Sequence, residues 1–222
     1  MLASSAMSAF PPSVRHDLPG WVLFWAELAA APPCADALAA LRRDAAARAR
    51  ARLTLDKLSE HPTVAAVRKR FRAAGCDPTR YRPSSEALLR RVLKGEDLPA
   101  IDPFVDVNNC LSIELAVPAC VIDAAALRPP IALRVGRPRE DMESMRGPFS
   151  VEAKPVLEDA EGAFGTPITD AERVRVTAGT TTVWLYAYLP EGVVTPEDAE
   201  RCLAALCAAA PAVRVVACAS TR

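Results

Sequence analysis

Apolar positions follow two regimes along the chain. From Ala35 to Lys94 they recur at helical spacing, and from Ile131 onward they mostly alternate as in strands. Residues 1–12 show neither pattern and read as a tail. Val14 to Asp17 and Trp21-Val22-Leu23-Phe24-Trp25, separated by the Pro19-Gly20 turn signal, predict a pair of strands. The second has little polar alternation, so both its faces are expected to be covered. Ala35 to Leu58 is Ala-rich, with Leu38, Leu41, Ala45 and Ala49 on one helical face. Pro62 opens a second helix with Val64, Val67 and Phe71 on its apolar side, and Gly75 is suited to stop it. Ser84-Ser85-Glu86 opens a third, with a Ser N-cap and an acid in the first turn that suits the helix dipole. Leu88, Leu89 and Val92 are its apolar side, and Gly95 ends it.

Between the two regimes lies Ile101 to Asp123. Its β-branched run predicts a strand ending at Asp106, followed by a short helix opened by Asn108 and Asn109, with Asp106 available as its cap. Polar residues at such a switch are costly unless paired or turned toward a ligand. Further on, Ile131, Leu133 and Val135 alternate, Asp159 to Gly162 is a turn, and Val174–Thr177 and Thr181–Leu189 predict strands. Thr195-Pro196 opens a last helix before a closing strand at Val213 to Ala217. With helices early and sheet late, the fold class is α+β.

The formal net charge is zero, but its distribution is uneven. Leu41 to Lys94 carries 15 Lys/Arg against 5 Asp/Glu, a balance of +10, and the rest carries −10. Such a segment is either a polyanion footprint or the partner of the acidic remainder. The seven cysteines contain no CxxC pair and only two histidines accompany them, so neither a zinc site nor a disulfide framework is expected. No basic and apolar leader pattern occurs near Met1, and the longest apolar run, Trp21 to Ala31, is short for a bilayer and interrupted by Glu27. A cytoplasmic protein with no membrane partner is the expectation.

Phosphate-binding glycine loops, serine elbows and zinc-protease motifs are absent. The candidate chemistry is therefore carried by amides and carboxylates. Asn108 and Asn109 cannot both cap, so at least one is expected to bind across the fold or to a ligand. Glu114 diverges from Asn109 by more than a quarter turn on a helix. The loop Thr166-Pro167-Ile168-Thr169-Asp170-Ala171-Glu172-Arg173 offers Asp170 and Glu172 as groups that could orient water, with Arg134 and Arg173 as their partners or as a ligand clamp. Cys120 has no histidine tied to it by any local pattern.

These residues also form an ordered series. His61-Pro62 through Arg68, then Tyr81-Arg82-Pro83-Ser84-Ser85-Glu86-Ala87-Leu88-Leu89-Arg90-Arg91, then Val105-Asp106-Val107-Asn108-Asn109, Pro118 and Asp123 resemble a freestanding B3/4-type domain. Gly162-Ala163-Phe164-Gly165-Thr166-Pro167-Ile168-Thr169-Asp170, with Arg173 and Thr177, is similar to the second half of that signature. The family's best-known setting is the tRNA-binding and editing domain of the phenylalanyl-tRNA synthetase β subunit. The resemblance implies a PheT/TilS-like β/β/α layered domain over residues 60–222, preceded by an N-terminal helical and strand extension over 1–59 that packs on it. It implies hydrolysis of mischarged aminoacyl-tRNA in trans, or a tRNA- or amino-acid-binding module that kept the fold without the chemistry, with no metal, cofactor or DNA. By the same resemblance Asn109, Asp170 and Glu172 are the catalytic candidates. Asn108, Cys120, Glu114, Arg134 and Arg173 are the substrate-binding ones, and Arg68, Arg82, Ser84, Arg90 and Arg91 the RNA-binding ones. Cys120 stands where the synthetase has a histidine, so tyrosine specificity is not implied.

Overall fold

The structure is a computed structural model that describes residues 13–32 and 34–221; the tail expected over 1–12 lies outside them. Among the described residues ten strands and five α-helices follow one another as β1 (Val14–His16), β2 (Trp21–Ala30), α1 (Ala35–Arg52), α2 (Pro62–Ala73), α3 (Ser84–Leu93), α4 (Pro103–Leu115), β3 (Ala119–Asp123), β4 (Ile131–Val135), β5 (Asp141–Ser144), β6 (Gly147–Ser150), β7 (Pro155–Asp159), β8 (Gly162–Gly165), β9 (Thr182–Pro190), α5 (Pro196–Ala209) and β10 (Val213–Ser220). One sheet runs β10-β2-β9-β3, the other β1-β4-β7-β8, and β5 and β6 form a separate ribbon.

Strand alternation explains the layering. Odd and even positions of a strand face opposite ways, and here both faces are buried. On β9, Val183, Leu185, Ala187 and Leu189 join a core with helices α1, α3, α4 and α5, while Trp184, Tyr186 and Tyr188 join the core between the two sheets. On β2, Phe24, Ala26 and Leu28 face the helices, and Trp21, Leu23 and Trp25 face the second sheet. The result is the expected mixed α+β architecture in β/β/α layers. The coverage of both faces of β2 follows from its interior place between β10 and β9. That place also ties the segment before residue 60 to the sheet itself.

Several local expectations are corrected. β1 and β2 are not a hairpin: β1 pairs in parallel with β4, in the other sheet. The stretch before Asp106 is not a strand. Asp102 caps α4, accepting from the Phe104 amide at 2.9 Å, and Pro103 takes the first turn. Asn108 and Asn109 therefore lie inside the helix rather than at its start. Ser84 and Ser85 do not cap α3 through their side chains; Pro83 holds the cap position. Residues 174–177 are not a strand, since a 3-10 turn at Glu172–Val174 leads into open loop. Thr195 and Pro196 open α5 as expected, and Asp198 completes a capping box not expected from the sequence. No helix among the described residues is long and apolar enough to cross a membrane.

Candidate functional site

Where α4 hands over to β3, the turn is fixed by Ser112 Oγ donating to Val117 O at 2.7 Å and by Ala116 in the left-handed region at φ 57°. β3 then places Ala119 and Val121 toward the helices and Cys120 and Ile122 into the inter-sheet core. Cys120 stands opposite Tyr186 on β9, and Tyr186 opposite Trp25 on β2, so the three form a cross-strand row.

The loop after β8 supplies the acid. Thr166 Oγ1 donates to Thr169 O at 2.7 Å and accepts from the amides of Ile168 and Thr169, closing the loop on itself. Gly165 bridges Asp170, and Ala171 N donates to Phe164 O, so the chain turns back along β8. A β-carbon on Gly165 would lie 3.4 Å from Asp170 Oδ1 and 3.7 Å from Cys120 Sγ, which places both groups against this glycine. Asp170 as a residue is half-buried, but its Oδ1 is closed to solvent and has no hydrogen-bond partner among the described residues. Burial raises its pKa to about 7, against which the Cys120 thiol and the Thr166 amide pull only partly back.

The same inter-sheet core holds further buried polar atoms. The hydroxyl of Tyr186, fully buried, and Trp25 Nε1 have no hydrogen-bond partner among the described residues, while the equally buried Tyr188 hydroxyl lies against the Cys120 thiol. A buried polar atom left without a partner costs about 1–3 kcal/mol, so these atoms are an expense of the inter-sheet core. Burial holds both phenols well above their usual range. The Cys120 thiol is pushed well up by burial and then by the neighbouring Asp170 carboxylate. It is a protonated, inert group rather than a nucleophile. Nothing in local periodicity flagged Tyr186, Tyr188 and Trp25 as site residues, although their alternation on β9 and β2 placed them on one face.

The other sequence candidates distribute differently. Asn108 meets β3 from the helix side, its Nδ2 donating to Ala119 O at 3.3 Å while Oδ1 has no partner among the described residues. Asn109 is half-buried on α4. Asp106 is not a cap: it is buried, accepts from Ile101 N at 3.0 Å and pairs with Arg42 of α1. Glu114 lies in the helical layer, held by Arg48 at 2.7 Å and Arg52 at 2.9 Å. Arg134 is buried against Glu140 and Glu158 on the second sheet. Arg173 binds Asp159 at 2.6 Å, and Glu172 is exposed and pairs with Arg175 at 3.1 Å. Cys120 and Asp170 are thus brought together, while Glu114, Arg134, Arg173 and Glu172 are each engaged elsewhere. Among the RNA-binding candidates, Arg68, Arg82 and Arg90 converge on Glu86, Arg91 pairs with Glu96 at 2.9 Å, and Ser84 N donates to Pro167 O at 2.8 Å.

A model of the B3/4 domain matches residues 66–203, a span that includes α4, β3, the Asp170 loop and β9. The chain belongs to the B3/4 domain family. In this B3/4 protein the matched span therefore contains both Cys120 and Asp170. The fold is similar to an N-terminal fragment of the phenylalanyl-tRNA synthetase β subunit from Pyrococcus horikoshii, at 14% identity and a TM-score of 0.47. That likeness covers 95% of this chain and 54% of the fragment, so the B3/4 protein spans about half of it. No curated protein matches the sequence.

Proposed function

We propose that this B3/4 protein hydrolyses the ester of mischarged aminoacyl-tRNA in trans. The observation that supports it most is the buried Asp170 carboxyl group beside Cys120, whose pKa burial raises to about 7. A carboxylate poised near neutrality can move a proton in both directions. Asp170 takes a proton from the attacking water as the water oxygen bonds to the ester carbon. The bond to the ribose oxygen then breaks, and the same proton passes to that leaving oxygen. Asn108 and Asn109 stand on α4, on the helix side of β3, whereas Cys120 beside Asp170 faces the inter-sheet core, so neither amide is given a part in this step. The family membership and the order of motifs from His61 to Thr177 support tRNA as the carrier.

The sealing of Asp170 Oδ1 and of both phenols favours a second reading, a tRNA- or amino-acid-binding module without turnover. A panel of mischarged tRNAs, incubated with stoichiometric wild-type protein and with Asp170→Asn, decides between the two. Deacylation above buffer that is lost in Asp170→Asn supports the hydrolase. Binding of tRNA with no turnover on any member leaves the binding module.

A further inference from the structure

The basic segment divides in the folded protein. On α1, arginines are matched to acids, Arg42 to the buried Asp106, the half-exposed Arg48 and Arg52 to Glu114, and Arg50 to Asp97 at 3.7 Å. The α2–α3 part is built differently. Three arginines share one carboxylate, Glu86, which is 1% exposed and presents no charge of its own to solvent. Three positive groups on one negative leave two uncompensated charges at this point.

The geometry leaves those charges usable. Arg68 Nη1 grips both Glu86 oxygens, at 2.9 and 3.1 Å, and stays largely covered. Arg90 reaches Glu86 through Nε at 3.0 Å, and Arg82 approaches it through Nε at 3.8 Å. The terminal nitrogens of Arg82 and Arg90 make no hydrogen bond among the described residues, and their side chains are 46% and 31% exposed. Arg90, anchored through Nε, and Arg82, held by an ion pair at 3.8 Å, both leave their terminal nitrogens open, and a guanidinium so disposed can take an oxyanion in a fork. The segment carrying Arg82 is also held still: the Tyr81 ring lies 3.9 Å from Lys154 Nζ and packs edge-on against Phe149. Two residues beyond Arg82, Ser84 N donates to Pro167 O in the loop that ends at Asp170.

We propose that Arg82 and Arg90, set on Glu86 together with Arg68, clamp a phosphate of a single-stranded RNA end and lead it to the Asp170 loop. This assignment rests on the hydrolase or tRNA-binding reading for its RNA, and on the arginine geometry for its phosphate. Neutralising one phosphate of a single strand changes the salt dependence of binding in a predictable way, with a slope of about −0.7 in log K against log salt per contact. A labelled short single-stranded RNA is titrated against wild type, Arg82→Ala, Arg90→Ala and the double variant over a range of salt. Arg201→Ala, on exposed α5, is the control. The clamp requires the double variant to bind at least tenfold more weakly, with a shallower slope, while its melting temperature and the control stay near wild type. Equal affinity and slope in a folded double variant overturn it. A competition arm with inorganic phosphate separates the sources: arginine-dependent phosphate binding without RNA binding marks a free-phosphate site and overturns the RNA assignment. RNA binding lost in the double variant, with no deacylation even by wild type, keeps the clamp and removes the hydrolase. Deacylation that the double variant retains at wild-type KM does the reverse.

Discussion

The Asp170 carboxylate and the Cys120 thiol meet between the two sheets, brought together from the loop after β8 and from the edge strand β3. The thiol favours the charged form of the acid, whereas the carboxylate disfavours the thiolate. Burial holds the acid partly protonated near neutrality and keeps the thiol protonated throughout.

Asp170 should therefore leave a signature in stability against pH. Its folded pKa, about 7, lies above its ordinary value of 3.8, so the folded state binds the extra proton between those values. Its contribution is fully present below about pH 4 and is lost as pH rises through 7. Asp170→Asn should abolish that fall and be about 1–3 kcal/mol more stable than wild type at pH 8. Urea unfolding of both proteins at pH 4, 6 and 8 checks it; parallel curves for the two would contradict the buried acid. If the hydrolase reading holds, the deacylation rate should rise along the same titration.

Cys120 is predicted to be among the slowest thiols to alkylate, together with the fully buried Cys110. Cys34, Cys202 and Cys218 are only half-buried, whereas Cys120 is 3% exposed and held protonated. Mass mapping after a timed alkylating pulse should show the three half-buried thiols modified first. Cys120→His, which installs the synthetase's residue, crowds the Gly165 backbone beside Asp170 and should cost about 1–3 kcal/mol. A variant of unchanged stability would mean the site has room the packing does not show.

How much of this was legible before the fold was known differs by residue. The covered faces of β2, the long helix at α1 and the Thr195 cap are local patterns, and local physics carries them. The α4 start was misread because Val105 and Val107 suggest a strand, although Asp102-Pro103 is itself a cap and first-turn signal. The pairing of β1 with β4, the burial of Glu86 under three arginines and the capture of Glu114 by α1 depend on partners far away in the chain. No periodicity reports these. For the same reason Asp170 and Cys120 were singled out from the sequence while the two phenols beside them were not.

The Asp106–Arg42 pair explains why a carboxylate precedes the two asparagines of α4. Asp106 is buried and bound to both Arg42 and the Ile101 amide, so its role is to fix α4 against α1 and the incoming chain. Removing one partner of such a pair strands the other charge, at a cost of about 3–5 kcal/mol. Asp106→Ala should approach that loss, because it also orphans the Ile101 amide. Arg42→Ala should cost less, since Arg42 is partly exposed and water can reach the remaining carboxylate. In a double-mutant cycle read by chemical denaturation, the two losses should fall well short of adding. Full additivity would mean that Asp106 acts on the Ile101 amide alone, and that α1 is held to α4 by apolar packing without this ion pair.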